Sequence, residues 1–249
     1  HTLAVIERDI GEVAAARRHF EAAIAAVPEG SEIHEASLCV LVRVAAAEGG
    51  AAAEQAAAEQ ALARLPDPAD VRDARVRCLL FERGRALEDL GLLRAAQASL
   101  TTLQAGLTGP QDGIERAEIT IVLGRVLGAL GELVAAAAEL ERALAALPPD
   151  SVVSADAMLE LGEVALADGR FADAVAWSSQ ALAIYAPLVE PEHAPLARAR
   201  FALARARTGE ATRATPEARA LAEQALAALR AGGRTSEAEA VAAWLAGRG

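Results

Sequence analysis

Few side chains in this 249-residue sequence carry the chemistry of a catalytic or metal site. The candidate nucleophiles are Cys39 and Cys78, and the only imidazoles are four scattered histidines. His34 precedes Cys39 by five residues, a spacing that turns the two side chains about 140° apart on a helix. No thiolate–imidazole pair forms locally, and Cys39 reads as a buried core cysteine. Two cysteines make no disulfide framework, so a reducing compartment is the default. His193 beside Glu192 is a loop pair without the further ligands that a metal needs. The 35 acidic residues lie on helix surfaces, where solvation and i,i+4 pairs with arginine account for them. No catalytic residue, metal or cofactor is therefore assigned, and the chain is not read as an enzyme.

Arginine offers a different chemistry. Counting back six residues from Gly49, Gly91, Gly131 and Gly169 reaches Arg43, Arg85, Arg125 and Glu163. Aligning Leu203-Ala204 with Leu161-Gly162 adds Arg205. Planar guanidinium forks suit carboxylates, including those of a peptide's side chains or C-terminus. Four residues before these positions stand Cys39, Phe81, Ile121, Leu159 and Phe201, and the two phenylalanines stand out because aromatics are only 3% of the chain. Arg43, Arg85, Arg125 and Arg205 are candidates for a ligand site or for ordinary solvated surface. Phe81 and Phe201 are candidates for interface anchors or for core. All 24 basic residues are arginine and there is no lysine or asparagine, a bias that fits a GC-rich genome, so arginine alone carries little information.

The elements that must position these residues are helices. Hydrophobic residues make up 53% of the chain, yet most of that apolar mass is 66 alanines, strong helix formers with small side chains. Apolar positions follow a 3.6 period, as in Leu123, Val126, Leu127 and Leu130, then Leu133, Ala136, Ala137, Leu140 and Leu144. A glycine followed five residues later by alanine recurs at Gly11, Gly91, Gly131 and Gly169, with Gly49 and Glu54 filling the gap; the glycines are 38, 42, 40 and 38 residues apart. Glycine permits a left-handed turn, and the small residue beyond it allows two helices to pack closely. About six helical hairpins follow, over 1–28, 31–65, 70–107, 113–147, 151–189 and 195–230, with a terminal cap over 236–246. Thr215-Pro216 and Ser236-x-x-Glu239 read as helix starts, the latter as a capping box, and Pro148-Pro149 as a stop. The fold class is all-α, a right-handed α-solenoid forming one superhelical domain over 1–249, because the repeat phase resumes after each loop.

Leu161-Gly162 with Gly169-Arg170-Phe171-Ala172-Asp173-Ala174 and Ala181-Leu182-Ala183-Ile184-Tyr185 resembles the tetratricopeptide repeat (TPR) family, as does Leu123-Gly124 with Gly131-Glu132-Leu133 and Glu141-Arg142-Ala143-Leu144. The unit is longer than that family's usual repeat and is similar to the kinesin-light-chain variety, whose connecting loop Pro191-Glu192-His193 resembles. The second repeat departs in its alanines and the sixth in its stretched turn, Gly209 to Thr215. The resemblance implies that the arginine positions face a concave groove. It implies a non-enzymatic scaffold or docking module that binds a peptide segment of a protein partner bearing acidic or C-terminal carboxylate groups. The runs from Ala194 to Ala204, Ala222 to Ala225 and Val241 to Leu245 resemble the C-terminal repeat region of myxobacterial serine/threonine protein kinases. That implies the alternative of a regulatory tail of such a kinase, or of a transcriptional regulator, acting by intramolecular control or oligomerisation. No Gly-rich phosphate loop, His-Arg-Asp or Asp-Phe-Gly is present.

The formal charge of −11 argues against nucleic acid or an anionic membrane surface as partner. Each apolar run reads as broken by Glu or Arg before the ~18 residues that a membrane span needs. A bacterial, cytoplasmic signalling protein is expected. Residue 1 is His, and the first repeat opens part-way through a helix, which reads as an excised fragment able to self-associate through its exposed N-terminal repeat.

Overall fold

The computed structural model describes residues 13–28, 31–109 and 113–248. The turn at Gly11, the first helix of the first expected hairpin, and Pro110 to Asp112 of a connecting loop lie outside the described residues. So does the N-terminal surface proposed for self-association. Among the described residues there are eleven α-helices and no strand: α1 Val13–Ala26, α2 Glu32–Leu62, α3 Ala74–Asp89, α4 Leu93–Gly106, α5 Gly113–Ala129, α6 Leu133–Ala146, α7 Val152–Ala167, α8 Phe171–Leu188, α9 Ala194–Thr208, α10 Pro216–Ala231 and α11 Thr235–Gly247. The chain divides into two compact units, residues 1–112 and 113–249.

The hairpin turns share one geometry. Gly91, Gly131, Gly169 and Gly233 all have φ between 70° and 78°. The amide after each glycine closes a bond to a carbonyl five residues back: Leu92 to Leu87, Glu132 to Leu127, Arg170 to Ala165 and Arg234 to Leu229. Such a left-handed stop satisfies the last carbonyls of one helix and reverses the chain into the next. Five residues beyond each glycine, Ala96, Ala136, Ala174 and Ala238 are buried. Close approach is obligatory inside the hairpins as well: a Cβ at Gly124 would lie 2.5 Å from Cγ of Leu140.

Two local expectations are corrected. The left-handed residue of the second repeat is Gly50, with φ 70°, rather than Gly49. It divides α2 into two limbs, and Val42 on the first shares a core with Ala58 and Leu62 on the second. Ala36–Leu62 is, among the described residues, the one helical stretch that by length and mean apolarity could cross a membrane, though Arg43, Glu48, Glu54 and Glu59 interrupt it as expected. The fold-back at Gly50 makes it a hairpin. The capping box at Ser236 does not form: α11 starts at Thr235 with Arg234 at its cap and no side-chain bond there, because Gly233 repeats the hairpin turn. Thr215 does cap α10, accepting from the amide of Ala218.

In the 1–112 unit, α1 packs on α2, α2 on α3 and α3 on α4. In the 113–249 unit, α5, α7 and α9 contact one another in succession, each also packed against the second helix of its own hairpin. This is the stacking of a helical-repeat solenoid, in which no hairpin buries its apolar face alone. Large fully buried side chains such as Leu140, Leu159, Leu196 and Tyr185 fill the spaces that alanine leaves.

Replacing Gly131 by Val puts a β-branched residue at φ 78°. The expected loss is about 1–3 kcal/mol, with a smaller loss for Gly131→Asn. Urea unfolding followed by the fluorescence of Trp177 and Trp244, both inside residues 113–249, reads the difference.

Candidate functional site

Nine residues before Gly91 and Gly169 stand Glu82 and Glu160, where the aligned residues of other repeats are Val122 and Ala202. All four are buried, with Glu82 at 0% and Glu160 at 4% exposure. A carboxylate at a core position needs compensating charge and hydrogen bonds. For Glu82 these come from Arg43, whose Nε donates to Oε1 at 2.5 Å, and from Arg85, whose Nη1 donates to Oε2 at 3.0 Å. For Glu160 they come from Arg198, whose Nη2 donates to Oε1 at 2.8 Å, and from Arg125 at 3.6 Å from the same oxygen. Arg205 donates to Glu163 at 2.8 Å. Arg43, Arg125, Arg198 and Arg205 each reach a glutamate of a neighbouring hairpin, so these pairs are rungs between successive repeats.

The four predicted arginines keep part of their side chains in solvent, 48% for Arg43, 41% for Arg85, 31% for Arg125 and 36% for Arg205. In the 113–249 unit Arg125 lines one of two adjoining cavities, and Arg205 is tied to both only through its ion pair with Glu163. One, of about 260 Å³, is lined by Arg125, Gly128, Glu160, Glu163, Val164 and Arg198. The other, of about 150 Å³, shares Glu163 and Arg198 and continues over Phe201, Leu229, Glu237 and Val241. Phe201 is half-buried, its ring edge-on to Trp244 at 5.7 Å with the Arg205 guanidinium 5.5 Å from its centroid. That geometry is a cation–π contact. The Glu160 carboxylate holds the Arg198 guanidinium well above its ordinary pKa range, against the opposing effect of burial. Behind this wall the buried Tyr185 hydroxyl donates to Asp156 at 2.5 Å. Burial raises both the Asp156 carboxyl and the Tyr185 phenol above their ordinary values.

In the 1–112 unit, Arg43 and Arg85 converge on Glu82, and Phe81 beside it is half-buried. Buried Glu54 lies against this cluster. Burial pushes its carboxyl up to about 7, opposed by Arg85 and assisted by Glu82 and Asp89. The second limb of α2 places Glu54 where other hairpins put the buried alanine. The expectation of Cys39 as a lone core thiol is corrected: it is bonded to Cys78 of α3, with their Cα atoms 6.1 Å apart. A larger cavity of about 460 Å³ in this unit is lined by Arg17, Ile24, His34, Leu41, Ala61 and Arg64, among others.

Sequence reasoning missed Glu82, Glu160, Arg198 and the cysteine pairing. The signals were present. Cys39 to Cys78 and Arg43 to Glu82 are both separated by 39 residues, one repeat length, which puts each pair at matching heights on successive first helices. Counting back six from the true turn residue Gly50 reaches buried Val44, so Arg43 lies one residue out of the assumed register yet still meets Glu82. Among the described residues no three His, Cys, Asp or Glu side chains gather at a point that could hold a metal ion.

A tetratricopeptide repeat family model matches residues 153–231. No curated protein matches the sequence. Among solved structures, kinesin-light-chain TPR-like repeats from Podosopora anserina are 23% identical, with a TM-score of 0.59 over 84% of this chain and 99% of that one. BtubC (BKLC) from P. vanneervenii is 17% identical, with a TM-score of 0.64 over 91% of this chain and 92% of its own. A tetratricopeptide repeat protein from Parabacteroides merdae is 16% identical, with a TM-score of 0.55 over 98% and 95%. These likenesses show the fold: an all-α TPR-like repeat solenoid.

The raised carboxyl of Glu54 makes stability fall as pH rises. Its unfolded value is 4.5 and its folded value about 7, so the native state holds the extra proton in between. Stability from this group is complete below the lower value and is lost through the upper one. Glu54→Gln is expected to flatten that slope and to stabilise the 1–112 unit by roughly 2–3 kcal/mol at pH 8. Urea titrations at pH 5 and pH 8 followed by far-UV circular dichroism measure it.

Proposed function

We propose that this chain is a non-enzymatic interaction module whose inner helical wall binds a peptide segment bearing a carboxylate next to an apolar side chain. The observation that supports it most is the pair of adjoining cavities in residues 113–249, one flanked by Arg125 and Arg198 and the other floored by Phe201, Leu229 and Val241. A guanidinium group has five N–H donors, and one carboxylate engages two of them at most in a bidentate pair. Arg198 and Arg205 can therefore hold Glu160 and Glu163 and still offer donors to a partner's side-chain or C-terminal carboxylate. The apolar cavity receives the adjacent side chain, with Phe201 as its aromatic anchor. Arg43, Arg85 and Phe81 form the corresponding set in residues 1–112.

The known behaviour of the fold agrees with this reading, since TPR-type proteins mediate protein–protein interactions. A rigid stacked wall lowers the ordering cost of binding an extended segment. The cavities themselves carry no positive excess, with Arg125 and Arg198 set against Glu160, Glu163 and Glu237, and Arg205 pairing with Glu163 at their border. Selectivity then comes from placed donors and shape rather than from a general positive field.

An array of octapeptides presented with free or amidated C-termini and with internal Asp or Glu tests the proposal. Carboxylate-bearing peptides with an apolar neighbour are expected to bind. Arg205→Gln and Phe201→Ala should each weaken that binding about tenfold at a temperature where far-UV circular dichroism shows both variants still folded. Equal binding of peptides stripped of every carboxylate would refute the assignment.

A further inference from the structure

We infer that Cys39 and Cys78 form a reversible thiol–disulfide site that fastens two successive repeats together and thereby controls how firmly the Arg43–Glu82–Arg85 wall is held. The two residues stand on the first limb of α2 and on α3, and their Cα separation of 6.1 Å falls in the range found across disulfides. Their placement follows from the repeat. Cys39 precedes Arg43 by four residues and Cys78 precedes Glu82 by four, so each lies one helical turn from its ion-pair counterpart. The sulfur bridge and the Arg43–Glu82 bond are thus consecutive rungs across one helix–helix seam.

Both cysteines are half-buried, so a small reagent can reach them, while the apolar cluster of Val42, Val76 and Leu79 packs the seam. With the bridge open, the seam is held by that cluster and by an ion pair whose arginine is nearly half exposed. A pair at a buried carboxylate does little more than offset the cost of burying that charge. With the bridge closed, a loop of 39 residues is tied off, including the whole second limb of α2. The unfolded chain then loses freedom that the folded one never had.

The reaction is thiol–disulfide exchange with a low-molecular-weight disulfide. A thiolate of one cysteine attacks that disulfide, forming a mixed disulfide and releasing one small thiolate. The second cysteine then displaces the other small thiolate as the Cys39–Cys78 bond forms. Two protein thiols are oxidised, the small disulfide is reduced to two thiols, and the protons leave with those products.

The test uses the full chain equilibrated in oxidised or reduced glutathione, alkylated with iodoacetamide and weighed intact. The oxidised sample is expected to be monomeric with no added alkyl group, and the reduced sample to carry two. In urea, reduction should shift the unfolding equilibrium of the 1–112 unit on the order of 100-fold. That shift should be larger in the far-UV helical signal than in tryptophan fluorescence, because Trp177 and Trp244 both lie in residues 113–249. Cys39→Ser and Cys78→Ser should each melt like the reduced protein in either buffer. Alkylation of both cysteines under oxidising conditions, disulfide-linked dimers, or the same redox response in the serine variants would each overturn the assignment.

Discussion

An alanine side chain buries only one methyl group, so a core built largely from alanine gains enough apolar contact only if its helices come very close. That constraint governs the rest of the molecule. It explains why the hairpin turns are glycines in left-handed geometry, why a buried alanine follows each of the four matching turns, and why Gly124 has no room for a Cβ opposite Leu140. It also fixes rotation. Helices packed at such short range have few alternative registers, so the turn determines which side chains of one first helix meet those of the next. The positions of the arginines and glutamates are set by the spacing of small residues far more than by their own attraction.

The buried glutamates show what that register is used for. Glu160 occupies a position that is Val122 in the hairpin before it and Ala202 in the hairpin after it, so the carboxylate is met by guanidinium groups from both sides and by no second buried acid at the equivalent height. Removing its charge into the interior is costly, and the ion pairs do little more than balance that cost. What they add is discrimination between registers. A slip of one turn would leave a carboxylate buried without its arginines, an outcome far worse than the small gain from forming the pair. Glu54 is the exception, a second acid beside Glu82, and its raised protonation range comes first from burial and only then from that neighbouring carboxylate.

The helices, their order and most of their limits were legible because the glycine period and the 3.6-residue apolar stripes repeat the same message many times. Single features gave poorer guidance. Gly49 and Gly50 are adjacent, and nothing in composition says which one takes the left-handed turn; the packing of Val42 against Ala58 and Leu62 decides it. Ser236 had the spacing of a capping residue, but the turn at Gly233 starts the helix first. The arginine positions were found by counting from turns, whereas their partners were not, because glutamate on a helix reads as solvated by default. Glu82 and Glu160 could be recognised only by comparing equivalent places across repeats and seeing acids alternate with apolar residues. Arg198 lies outside the counted register, and only the fold brings it to Glu160. The cysteines were judged one at a time, and their separation of one repeat length was the overlooked clue.

On the proposed function, pairing of the wall arginines changes what a ligand must do there. An unpaired row of guanidinium groups would attract any anion, and in an acidic chain of net charge −11 it would first attract the protein's own surface. With internal glutamates already in place, a partner carboxylate gains little from long-range field and must use donors left over at fixed positions, next to an apolar cavity that rewards a fitting neighbour. Such a wall is slow to bind indiscriminately and depends on shape. On the proposed function, the same glutamates that hold the repeats in register raise the threshold for binding, and stacking and selectivity then rest on one set of ion pairs.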